Sequence, residues 1–329
     1  MKNNFLSKPN YIRIYGHRGA RGEYPENTIE GFKHTFSLQI KAIEFDVLIS
    51  KDNVPTIYHN FTLNKDLTKD GNNNWLPTDD IKIYEKTFEE IKTYNVGGID
   101  SNSKYGKTFS KQKTIETARI PSLKDLLELV KSSGKDIFLN LEIKSTPYKQ
   151  DLIPNPSEMV KLILKDINDY SLVDQTLISS FDWRILKEVK KQNSNILRGY
   201  LSLQQGQSKT IFEDSLWVDG KFSSLELFEL PKVIKSLDGH VWCPFYRDVT
   251  KENVKLAHDL GLAVNVWTVN NDEDVLRMIE YSVDGIITDY PKKVKEICKK
   301  SNINLCFTEL RGPTERKYPT RRFFKSLRN

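Results

Sequence analysis

Tyr11-Ile12-Arg13-Ile14-Tyr15-Gly16-His17-Arg18-Gly19-Ala20-Arg21-Gly22-Glu23-Tyr24-Pro25-Glu26-Asn27-Thr28 (11–28) joins an apolar run to a glycine-punctuated loop and then to a helix start. The apolar run reads as a strand that carries an imidazole and a guanidinium to one rim. The glycines of the loop leave its backbone free to approach a ligand closely. Asn27 is expected to cap the next helix, with Glu30 three residues on completing a capping-box-like pair. A titratable base, a fixed cation and a tight backbone on one loop suit a phosphate ester.

Outward from this unit, strand-like and helix-like runs alternate, the pattern of a parallel sheet covered by helices. Strands are expected at 12–17, 42–48, 137–143, 176–181, 197–202, 240–246, 263–269 and 285–289, the eight that a closed barrel needs. Helix starts are expected at Ser122, Ser157 and Asn271. Between 197 and 246, the segments Gln204–Ser208 and Trp217–Ser224 show no clear period.

In the strand Lys41-Ala42-Ile43-Glu44-Phe45-Asp46-Val47-Leu48-Ile49-Ser50, residues two apart share a face. Glu44 and Asp46 therefore lie together, opposite Ile43, Phe45 and Val47. Two such carboxylates repel each other and raise their own pKa values unless a cation sits between them. After the turn Lys51-Asp52-Asn53, the run Val54-Pro55-Thr56-Ile57-Tyr58-His59 returns as a hairpin and brings His59 to them. A third carboxylate stands in Asp136-Ile137-Phe138-Leu139-Asn140-Leu141-Glu142-Ile143-Lys144, where Asn140, Glu142 and Lys144 share one face. Unpaired buried charge costs several kcal/mol, so charges on such a strand point to chemistry.

The chain resembles the glycerophosphodiester phosphodiesterase family. The matching pieces are GHRGARGEYPENT (16–28), EFDV (44–47), the histidine of PTIYHN (55–60), RIPSL (119–123), LEIK (141–144), SSFDW (179–183), VNVWTVN (264–270) and DGIITDYP (284–291). The resemblance implies an α/β fold, a TIM-type (β/α)8 barrel, and hydrolysis of glycerophosphodiesters to glycerol 3-phosphate and an alcohol. It implies His17 and His59 as the acid–base pair. Glu44, Asp46 and Glu142 become ligands of one divalent cation. Arg18 and Lys144 become phosphate contacts, and Trp267 a wall of the substrate pocket. An all-carboxylate ligand set favours Mg²⁺ or Ca²⁺, with Mn²⁺ also accommodated. The alternatives are a lipid-directed phosphodiesterase of lysophospholipase D or phospholipase C type, marked by an apolar rim, and a non-catalytic phosphoester-binding barrel. Other tempting residues have plainer readings. His34, His240 and His258 read as surface or packed histidines. Asp289 reads equally as a helix cap or a site contact, and Trp242 and Phe245 as pocket wall or barrel filling.

The barrel is expected over 1–300, including an inserted lid-like subdomain at 60–118 that is too long for a simple loop. A basic tail follows at 301–329. From Cys306 to Asn329 the chain has seven Lys or Arg and two Glu, a net of +5, against +6 for all 329 residues. The barrel itself is near neutral, which argues against nucleic acid as substrate. The tail, with Phe323 and Phe324, suits contact with an anionic membrane surface. Cys243, Cys298 and Cys306 are too dispersed for a disulfide framework or a zinc cluster. No apolar run reaches signal-peptide or membrane-span length, so a cytoplasmic enzyme is expected.

Overall fold

A computed structural model describes residues 11–305. The expectations for the first ten residues, for Cys306 and for the basic tail lie outside the described residues. Ten strands occur in the order β1 (Tyr11–His17), β2 (Ala42–Ile49), β3 (Pro55–Ile57), β4 (Phe138–Ile143), β5 (Thr176–Ser180), β6 (Leu197–Ser202), β7 (Val241–Pro244), β8 (Ala263–Val266), β9 (Gly285–Thr288) and β10 (Asn304–Leu305). β1, β2 and β4 through β9 form one parallel barrel, closed where β1 pairs with both β9 and β2. It is a TIM-type (β/α)8 barrel. β3 folds back antiparallel on the end of β2, and β10 adds to the start of β1.

Each barrel strand lies close to its expected place. β7 stops at Pro244 and β8 at Val266, short of the expected ends, although Phe245 and Trp267 still bridge in parallel. Every residue of β2 and β4 is buried. The outward face, with Ile43, Phe45, Val47, Leu139 and Leu141, packs into the layer between strands and helices. The inward face forms a small apolar plug around Tyr15, Phe138, Leu177, Val241 and Ile287. Glu44, Asp46 and Glu142 stand on that inward face toward the C-terminal ends of their strands, where barrel enzymes build their sites.

Ser122 caps Leu123–Ser132 in a capping box with Asp125, and Asn271 caps Asp272–Glu280, as expected. Two other starts are corrected. Thr28, not Asn27, caps the first helix, its Oγ1 accepting from the Gly31 N–H at 3.1 Å. Asn27 is at φ 54°, a left-handed turn that asparagine tolerates, and its side chain is engaged elsewhere. The helix Pro156–Asp169 is capped by Asn155, with Pro156 at a first-turn position where its missing N–H costs nothing. Ser157 is already inside it.

Residues 60–118 hold only short elements, chiefly Phe88–Ile91 and Lys104–Thr108. Leu63, Leu76, Ile83, Ile91 and Val96 bury themselves in the same cluster as the barrel's outer layer. The segment also reaches the 16–28 loop: the Lys113 N–H donates to the Glu23 carbonyl at 2.9 Å, and Gln112 Nε2 to the Arg21 carbonyl at 2.7 Å. Among the described residues, no helix is long and apolar enough to cross a membrane.

Candidate active site

β1 ends at His17, and the tight turn after it puts Arg18 at φ 50°. The Arg18 N–H then points at β2 and donates to Glu44 Oε2 at 3.0 Å. On β2, alternation turns Glu44 and Asp46 inward; on β4, in register with Asp46, it does the same for Glu142. One oxygen of each of these three carboxylates lies within 4.8 Å of the others. The β2–β3 hairpin, continued by the Tyr58 N–H to Asp46 carbonyl bond at 3.1 Å, sets His59 beside them.

The charges are strongly coupled. Burial, with the neighbouring Asp46 and Glu142, holds the Glu44 carboxyl well above the usual carboxylate range. Burial also raises Glu142, helped by Asp46 and opposed by Lys144. Burial opposes ionisation of Asp46 as well, but His59, Arg18, Lys144 and the Asn27 amide outweigh it and keep its carboxyl low. Lys144 Nζ is 2.6 Å from Glu142 Oε1 and 3.6 Å from Asp46 Oδ1. Arg18 Nη1 donates to Glu26 Oε1 at 2.7 Å, and its Nε stands 3.3 Å from Asp46 Oδ2. Three buried carboxylates, two of them with proton affinities raised by burial and by one another, fit a hard divalent cation that accepts oxygen ligands.

The histidines have distinct surroundings. His17 Nδ1 lies 2.6 Å from Asp289 Oδ1, while its Nε2 faces Glu44 Oε2 at 3.7 Å. Burial, and then Arg21, push its pKa down to about 4, against the pull of Asp289. Asp289 also accepts from Arg21 Nε at 2.8 Å and Asn270 Nδ2 at 2.7 Å. His59 is paired through Nδ1 with Asn60 Oδ1 at 2.5 Å, and burial, Arg18 and Lys144 hold its pKa well below that of a free histidine. Trp267 donates from Nε1 to the Cys243 carbonyl at 2.9 Å and meets Phe181 and Phe245 edge-on or tilted, each with ring centroids 5.3 Å apart.

His17, Arg18, Glu44, His59, Glu142, Lys144 and Trp267 line one cavity of about 210 Å³, and Asp46 lies directly behind it. All eight site residues expected from the sequence are thus brought together. The plainer readings hold for three other histidines. His34 stacks on Tyr24, His258 pairs with Asp284, and His240 Nδ1 accepts from the Arg198 N–H. Trp242 neither walls the pocket nor fills the barrel: alternation turns it outward into the layer between strands and helices, with its Nε1 bonded to Ser202, and Cys243 and Cys298 are buried. Asp289 is a site contact.

Sequence reasoning missed four contributors. Asn27 Nδ2 donates to Asp46 Oδ2 at 2.9 Å. Arg21 braces Asp289, and Glu26 holds Arg18. Tyr105, from the 60–118 segment, donates its hydroxyl to Glu26. Arg21, Glu26 and Asn27 stood in the 16–28 loop, where their residue types were the available signal. Tyr105 carried none.

The model of the glycerophosphoryl diester phosphodiesterase family matches residues 17–293, a span that contains every residue lining this cavity. The chain belongs to that family. A glycerophosphodiester phosphodiesterase of Caldanaerobacter subterraneus subsp. tengcongensis is 30% identical over 287 residues, covering 87% of this chain and 98% of that protein. The crystal structure of a family member from Silicibacter pomeroyi DSS-3 matches with a TM-score of 0.81 and 37% identity, over 92% of this chain and 97% of that one. An Oleispira antarctica phosphodiesterase, solved with its product sn-glycerol-3-phosphate, shares the fold at a TM-score of 0.66 and 22% identity, over 88% and 97% of the two chains. The protein is an enzyme of this family, and hydrolysis of glycerophosphodiesters is its activity.

Proposed function

We propose that the enzyme cleaves glycerophosphodiesters to glycerol 3-phosphate and an alcohol by two-histidine acid–base catalysis supported by one divalent cation, Mg²⁺ or Ca²⁺. The observation that carries this reading is the convergence of two histidines, three carboxylates, Arg18 and Lys144 on one cavity. The product held by the Oleispira antarctica relative supports the same cleavage.

Arg18 and Lys144 draw in the anionic phosphodiester and hold its non-bridging oxygens. Glu44, Asp46 and Glu142 would hold the cation, which would offset charge developing at phosphorus. His17 is the base. Its Nδ1–H is tied to the Asp289 carboxylate, so a neutral ring presents the Nε2 lone pair to the cavity. From there it takes the proton of the nucleophile, water or the substrate's own neighbouring hydroxyl. His59 is the acid and gives a proton to the departing alkoxide. It is neutral in the free site, and the incoming phosphate charge raises its proton affinity. Trp267, with Phe181, walls the pocket. Residues 60–118, which hold the 16–28 loop through Tyr105, Gln112 and Lys113, restrict access to small headgroups.

One observation favours a second, lipid-directed reading. Tyr148 and Leu216 are 55% exposed, Leu225 79% and Phe228 84%, on segments that follow β4 and β6. These segments leave the strand ends that carry the site. Incubation with glycerophosphocholine, glycerophosphoethanolamine and lysophosphatidylcholine, with and without chelator, separates the two. Release of glycerol 3-phosphate from the first two, abolished by chelator, is expected. Turnover of lysophosphatidylcholine alone would replace the first reading with the second.

A further inference from the structure

Asn140 lies on the inward face of β4, two residues deeper than Glu142, or roughly 7 Å along the strand. Beneath it is the apolar plug that begins with Phe138. It lines the cavity and is itself fully buried. Its amide is held from one side only: Ser179 Oγ, on the neighbouring β5, donates to Asn140 Oδ1 at 2.9 Å. That bond leaves Nδ2 as the free end, and Nδ2 has no hydrogen-bond partner. A buried amide donor left unmade is costly, and native structures keep few of them.

We propose that Asn140, oriented by Ser179, is a substrate-binding residue at the floor of the cavity, and that its Nδ2–H donates to a hydroxyl oxygen of the substrate's glycerol half. This rests on the reading that a glycerophosphodiester occupies the cavity. Three features select the glycerol. The phosphate is claimed higher up by the cations Arg18 and Lys144. The variable alcohol of such diesters needs the open end, so the constant half takes the closed end. A neutral donor also matches a neutral hydroxyl. A site built to bond a hydroxyl rejects an analogue lacking it far more strongly than an apolar pocket does.

The test uses the full chain with Mg²⁺, and again with Ca²⁺. Calorimetric titrations use glycerol 3-phosphate and its two deoxy analogues, 3-hydroxypropyl phosphate and 2-hydroxypropyl phosphate. Wild type is expected to bind glycerol 3-phosphate about tenfold or more tightly than one of the analogues. Asn140→Ala should lose that preference, binding the two within about twofold, with the phosphate contribution unchanged. Ser179→Ala, which frees the amide without removing it, should lose part of the preference and guards against a folding defect in the first variant. Thermal unfolding of each variant checks that the barrel is intact. Equal weakening of all three ligands by Asn140→Ala would mean a phosphate contact or a purely structural role. Unchanged preference would mean that a water fills the position. Either result overturns the inference while leaving the proposed activity standing. Failure of wild type to bind glycerol 3-phosphate at all would remove the activity reading and this inference with it.

Discussion

At the scale of single residues, the two histidines differ in what fixes them. His17 is clamped by Asp289, itself braced by Arg21 and Asn270, whereas His59 leans on the adjacent Asn60. His17→Ala and His59→Ala are each expected to lower kcat by roughly 10²–10⁴-fold. A p-nitrophenyl ester, whose leaving group needs no proton, should restore His59→Ala and leave His17→Ala slow. His34→Ala, His240→Ala and His258→Ala should stay near wild-type activity. A loss of less than about fivefold at either cavity histidine on a glycerophosphodiester would end the two-histidine mechanism. Rescue of the His17 variant instead would exchange the roles. His17 and His59 were readable because each sits on the end of a strong strand pattern. The clamp was half readable: Asp289 directly follows β9, the last barrel strand, but only barrel closure, 272 residues later in the chain, shows that it meets His17.

At the scale of elements, period-two alternation carries the argument. It made the inward set of β2 and β4 readable, because a strand buried on both faces leaves no innocent place for Glu44, Asp46 and Glu142. The raised Glu44 and Glu142 carboxyls give a sign to cation binding. Both must shed their protons to act as ligands, so binding releases protons, and apparent affinity rises as pH climbs through the raised pKa values. Calorimetry of Mg²⁺ or Ca²⁺ binding in two buffers of different ionisation heat should show this release, declining toward high pH. Binding with no proton release at any pH above the ordinary carboxylate range would contradict the carboxylate site. The loop after β1 makes a separate, steric prediction. A Cβ at Gly16 would stand 1.8 Å from the Gly19 carbonyl oxygen and 2.9 Å from Thr35 Oγ1. Gly16→Ala should therefore cost about 1–3 kcal/mol by chemical denaturation and lower kcat by displacing His17. Gly71→Ala, which meets nothing within 4 Å, is the matched control. The misplaced helix starts belong to this scale too. An asparagine before a helix was read as a cap, but the Asp46 carboxylate competes for Asn27 and leaves the cap to Thr28.

At the scale of the whole molecule, the barrel was readable because eight strand patterns recur at spacings that a crossover helix fills. The 60–118 segment was not, because it has almost no periodic structure. Its inner part shares the barrel's core through Leu63, Ile83, Ile91 and Val96. Its outer part is different. The Ile115 N–H donates to the Gly97 carbonyl at 2.6 Å, and the Val96 N–H to the Ala118 carbonyl at 3.2 Å. Residues 99–113 thus leave and rejoin the fold at nearly the same point, and closing so short a gap with a new linker costs little entropy. That excursion carries Tyr105, whose hydroxyl bonds Glu26, the carboxylate partner of Arg18, and Gln112, which bonds the Arg21 carbonyl. Replacing 99–113 with a short Gly-Ser linker should leave cooperative thermal unfolding intact. It should raise KM for glycerophosphocholine and also lower kcat, because Arg18 loses the bracing of its partner, and Arg21, which holds Asp289 against His17, loses Tyr105, Phe109 and Gln112. Tyr105→Phe should reproduce part of the KM effect with no change in unfolding temperature. Noncooperative unfolding of the excised protein would make the excursion part of the core. An unchanged KM in both variants would show that the segment takes no part in holding the substrate.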